Sequence, residues 1–104
     1  DRGVRLSEAK QLIQKALDLA PGDPFITDSL AWAEFRLGNK ARAQQLLQSA
    51  FAKKPDPEIA AHLGEVLWSQ GNTEEAKAIW KEGLRLNLDN QTLKDTLKRL
   101  GVSL

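Results

Sequence analysis

The chain has 104 residues, with 15 Lys or Arg against 14 Asp or Glu, one histidine and no cysteine. A net charge of +1 lacks the clustered basic excess that nucleic acid or an anionic membrane surface demands. Without cysteine there is no disulfide, no thiolate nucleophile and no Cys-based zinc set, and the longest apolar run, Leu30 to Ala33, is far too short to cross a bilayer.

Taken in order, residues 5–19 predict a helix. Leu6, Ala9, Ile13, Ala16, Leu17 and Ala20 share one face at helical spacing. Ser7 or the residues before it can start this helix, and Pro21-Gly22-Asp23-Pro24 ends it. Residues 24–37 predict a second helix, because Pro24 suits a first turn and Gly38 can take the positive φ of a helix stop. Residues 40–53 predict a third, with Ala43, Leu46, Leu47, Ala50 and Phe51 inward, before Lys54-Pro55-Asp56-Pro57 breaks it. Residues 57–70 and 73–87 repeat the pattern. Thr73-Glu74-Glu75-Ala76 reads as an N-terminal cap with an acidic first turn. Residues 90–100 predict a last helix, with Leu93, Leu97 and Leu100 inward, Lys94, Lys98 and Arg99 outward, and Gly101 as its stop.

The helices form a repeat. Leu30 and Leu63, Gly38 and Gly71, Asn39 and Asn72, and Ala43 and Ala76 each lie 33 residues apart. Residues 24–56 and 57–88 are then two full helix pairs within a single domain of residues 1–104. Residues 5–20 are an orphan second helix: Ala9 falls where Ala43 and Ala76 fall, Ala16 where Ala50 and Gly83 fall, and Pro21 where Pro55 and Leu88 fall. Residues 90–100 read as a C-terminal cap, since an array ends in a helix that is apolar within and polar without. No signal peptide is read in these residues. Starting in mid-repeat, the chain is expected to be a fragment, with room for a targeting segment upstream. The open face of residues 6–17 is expected to favour self-association.

The spacing resembles the tetratricopeptide repeat pattern. The second pair carries Leu63-Gly64, Leu67, Gly71, Ala76, Trp80 and Gly83; the first carries Leu30-Ala31, Gly38, Ala43, Leu47, Ala50 and Pro55. Thr27 and Ala60 stand where Trp is commonest, Glu34 where Tyr is expected and Leu88 where Pro is expected. The resemblance implies an all-α, right-handed solenoid of antiparallel helix pairs. It also implies a non-catalytic protein-interaction module, a scaffold or adaptor, with no cofactor. A narrower resemblance lies in Asp28 to Trp32 followed by Pro57 to Trp68. These stretches look like the C-terminal end of large repeat lipoproteins of proteobacterial outer membranes, whose arrays act as periplasmic scaffolds, for instance holding a protease and its substrates together. That likeness implies a periplasmic, outer-membrane-associated place, with the cytoplasm as the alternative.

In such arrays the first helix of each pair lines a concave face that holds a peptide or helix. The candidates there are Phe25, Asp28, Trp32, Phe35 and Arg36, then Ala61, His62, Glu65 and Trp68, with Arg99 from the cap. Trp32 and Trp68 are the candidate anchors, because aromatic side chains carry much interface energy; each could instead wedge between neighbouring helices, evenly balanced for Trp32 and the favoured reading for Trp68, and Trp80 belongs to the core. Asp28, Glu34, Glu58 and Glu65 make one side of the face acidic, suited to a basic or amphipathic peptide or simply solvated. His62 has Glu58 or Glu65 as possible neighbours at ordinary helical spacing. Without a second His, a Cys or a strained Ser, it lacks the parts of a nucleophilic or metal site. Asp28, Trp32 and His62 also stand where a carboxylate-holding Lys and Asn set would be, which argues against that ligand. The alternative function is a structural end-piece that terminates a longer array, with binding carried upstream.

Overall fold

Two Asp-Pro pairs set the frame. Asp23 accepts hydrogen bonds from the Phe25 and Ile26 amides at 2.9 and 3.1 Å. Asp56 does the same for the Glu58 and Ile59 amides. In each case the following proline fills the first helical position, where no N–H partner is missed. The computed structural model describes residues 2–104, with side chains from Arg5 onward. Among them are six helices: α1 (Arg2–Leu19), α2 (Pro24–Arg36), α3 (Lys40–Lys53), α4 (Pro57–Ser69), α5 (Thr73–Leu86) and α6 (Gln91–Leu100). Helix α1 starts ahead of Ser7. The cap of α5 is Asn72 rather than Thr73, and neither Asn72 nor Asn39 makes a side-chain cap bond.

Helices α2 and α4 stop in the same way, whereas α3 and α5 end on extended residues, Lys54 and Asn87. At the end of α4 the Gly71 amide bonds to the Trp68 carbonyl and the Asn72 amide reaches back to Leu67. This closure needs a left-handed residue, and Gly71 supplies it with φ +85°. Gly38 does the same for α2, with φ +94°.

Each helix packs on its chain neighbour, and α2, α4 and α6 also pack side by side, so these three form one layer and α1, α3 and α5 the other. Among the described residues, helix α1 packs on α2 alone. The fold is an all-α helical repeat solenoid. Its core is continuous from Ala31, Ala43 and Leu47 through Leu63, Leu67 and Trp80 to Leu93. Trp80 is fully buried, with its indole N–H donating to the Ala61 carbonyl at 3.3 Å.

Glu34 corrects the acidic-face reading. It is buried on the far side of α2, where Lys10 of α1 lies 2.7 Å from it, Arg42 of α3 3.7 Å and the Asn39 amide 3.4 Å. A group so enclosed cannot meet a partner.

The caps give a first expected outcome. Asp56→Ala leaves two first-turn amides without their acceptor and should cost about 1 kcal/mol. Asn72→Ala, with no cap bond to lose, should cost little. Urea unfolding of the two variants measures the difference.

Candidate functional site

The outward face of the α2–α4–α6 layer is organised by three cross-helix links. Asp28 pairs with His62, Glu58 with Thr92, and Glu65 with Arg99, and in each the partners are 34 residues apart. In each the acceptor is a carboxylate on the earlier helix and the donor is on the next. Side by side, equivalent helices bring equivalent positions into reach, so one repeat length is the spacing at which side chains meet. Thr92 was not among the expected site residues; the repeat length itself was the signal that could have found it.

Around the first link an aromatic cluster forms. His62 Nδ1 lies 2.8 Å from Asp28, so the ring N–H there donates to the carboxylate. Trp32 stacks on the His62 ring at 4.3 Å between centroids and 24° between planes. Phe35 tilts against Trp32 at 5.1 Å. The partner of His62 is therefore Asp28 on the neighbouring helix, not Glu58 or Glu65 on its own. Those two carboxylates face Thr92 and Arg99 instead. Asp28 is itself buried and spends its charge on His62.

The third link, Glu65 with Arg99, is charged on both sides. Arg99 donates to Glu65, and that hydrogen bond raises the guanidinium above its usual range. Slight burial opposes the rise and the Glu65 charge adds to it.

The remaining candidates divide. Phe25 and Arg36 are exposed on α2. Trp68 is half-buried with its ring 5.6 Å from Trp80, packed on the core. Ala61 is a correction: it is fully buried in the core and offers nothing to a partner. A helix position alone did not tell which side of α4 faces its neighbours. Trp32, Phe35, His62 and Asp28 thus come together, Glu65 and Arg99 form a second pair, and Phe25 and Arg36 stand apart. Among the described residues no three His, Asp or Glu side chains converge as a metal would need. Among the described residues no helix is long and apolar enough to cross a membrane.

Comparison with known proteins agrees with this geometry. A profile of the tetratricopeptide repeat matches residues 29–84. A TPR repeat-containing protein of Pseudomonas aeruginosa is 49% identical over 65 residues, 62% of this chain and 11% of the relative. Tetratricopeptide repeat protein 7A of Homo sapiens is 37% identical, over 85% of this chain and 10% of its own. A protein O-mannosyl-transferase of Mus musculus is 35% identical, over 89% of this chain and 10% of its own. The chain spans about a tenth of the length of these relatives. With the paired helices, the glycine stops and the matched residues in agreement, the chain belongs to the tetratricopeptide repeat family.

Proposed function

We propose that this chain is a non-catalytic protein-binding module that holds a peptide or helix of a partner on its α2–α4–α6 face. Repeats of this family generally mediate protein–protein interaction. The observation that carries the reading is Trp32. It is half-exposed, yet its ring stacks on His62 and tilts against Phe35. An aromatic fixed before the partner arrives loses little side-chain freedom on binding. The mannosyl-transferase is matched over 10% of its length, so its named activity stays with that protein.

The test is Trp32→Ala and, separately, Glu65→Arg in the intact protein, with partner capture compared at equal folded fraction. Loss of a central aromatic anchor should weaken binding by about 2 kcal/mol, roughly thirtyfold. Glu65→Arg faces Arg99 with a like charge and should weaken it too. Capture unchanged by both would overturn the proposal.

A second reading makes this piece the terminus of a longer array. Lys94, Asp95, Lys98 and Arg99 of α6 are all exposed, which is the polar outer surface such a cap needs. Under it, the same substitutions alter stability alone. A periplasmic place at an outer membrane is part of the proposal, and its support is the resemblance of Asp28–Trp32 and Pro57–Trp68.

A further inference from the structure

The cross-helix links leave the carboxylates of the α2–α4–α6 face unequally answered. On α4, Glu58, His62 and Glu65 lie along one stripe at helical spacing, and on α6 Thr92, Asp95 and Arg99 do the same. Asp28 has His62 and Glu65 has Arg99. Glu58 receives the Thr92 hydroxyl at 2.8 Å, and Asp95 the Gln91 side-chain amide at 2.7 Å. Both are exposed, and neither joins an ion pair among the described residues. Thr92, which holds Glu58, is one turn from Asp95, so the two carboxylates are neighbours across the α4–α6 seam. Lys98, a turn beyond Asp95, bridges to neither, and Arg36 stands in the last turn of α2. One turn along α4 from Glu58 is His62, with Trp32 stacked on it.

We propose that the segment held on this face is basic: it carries a lysine or arginine that seats between Glu58 and Asp95, beside an apolar or aromatic side chain that lies on Trp32. The inference rests on the reading of the α2–α4–α6 layer as the binding face and adds the partner's chemistry. Two neighbouring carboxylates repel each other, and a partner's cation relieves both at once. An acidic segment would add to the repulsion. A neutral apolar segment would strip water from two charges and give nothing back. A basic side chain suits the junction of acid and aromatic, because its apolar stem can lie on the ring while its head meets the carboxylates. Glu65 does not choose the partner's charge in this way, since Arg99 already answers it.

The experiment selects a phage-displayed library of random dodecapeptides on the full chain and titrates the enriched peptides against it by fluorescence polarisation. Lysine or arginine beside an apolar or aromatic residue should be enriched. Glu58→Gln with Asp95→Asn should weaken these peptides about tenfold at low salt and remove most of their salt dependence. Glu74→Gln with Glu75→Gln removes the same charge from exposed positions on α5 and should change affinity by less than about twofold. Melting curves bring all chains to equal folded fraction. Enriched peptides without basic residues would overturn the proposal. So would basic peptides that bind the Glu58→Gln, Asp95→Asn chain as well as the parent, or an equal loss in both double variants. Trp32→Ala separates the inference from the reading beneath it. Peptides lost with Trp32→Ala but indifferent to Glu58 and Asp95 keep the face and remove the basic partner. Peptides indifferent to Trp32, or no enrichment at all, remove both.

Discussion

Gly64→Ala and Trp80→Leu are each expected to destabilise the chain, and to cost far less together than the sum of the two. Trp80 is fully buried, and its indole lies where a Cβ on Gly64 would have to go. Gly64→Ala alone forces the ring or the helix to shift, at about 1–3 kcal/mol. The gain of about 1 kcal/mol in helix propensity offsets part of that. Trp80→Leu alone leaves a cavity beside Gly64 and the Ala61 carbonyl without its donor, at about 2–4 kcal/mol. The double variant reproduces the pair that the preceding repeat already uses, Ala31 with Leu47, both fully buried. The coupling should therefore be favourable by about 1–2 kcal/mol. A double-mutant cycle in urea reads it; strict additivity would mean that the two residues do not share one space.

The second large effect concerns Glu34. Its side chain is 6% exposed, while its partners Lys10 and Arg42 are 38% and 55% exposed. The asymmetry sets the outcome. Replacing both cations by methionine strands a buried carboxylate with only the Asn39 amide, and should cost about 1–3 kcal/mol after allowance for solvent near the cations. Glu34→Leu strands nothing, because Lys10 and Arg42 can both reach water. It also copies Leu67, which is fully buried at the equivalent place. It should be neutral or mildly stabilising. Melting of the three chains separates these results, and a Glu34→Leu loss larger than that of the cation-stripped chain would contradict the assignment.

The fold was legible because its signals are local. The 33-residue spacing of Gly38 and Gly71, the prolines beside Asp23 and Asp56, and the apolar spacing of each helix all act within one turn or one helix pair. Trp80 was assignable to the core for the same reason: it occupies a repeat position that must be filled. The face was harder. The Asp28–His62 link depends on how far α4 is displaced along α2, and helical spacing within α4 pointed instead to Glu58 and Glu65. Ala61 and Glu34 failed for a related reason. Each lies on a first-type helix with neighbours on more than one side, so a helical wheel alone does not separate the side turned to solvent from the sides turned to α5, or to α1 and α3. Comparing the three copies of each position, rather than reading each helix alone, would have recovered Thr92 and Arg99 as the partners of Glu58 and Glu65.

The face of the α2–α4–α6 layer is best tested by photo-crosslinking in the intact protein within its own cells. A photoreactive residue is placed at Ser29, exposed on α2, and separately at Ala78, exposed on α5 in the other layer. Binding on the first layer predicts one discrete partner captured from Ser29 and none from Ala78, with the Ser29 product lost when Trp32→Ala is added. Capture of the same partner from both positions, or a Ser29 product indifferent to Trp32, would contradict it.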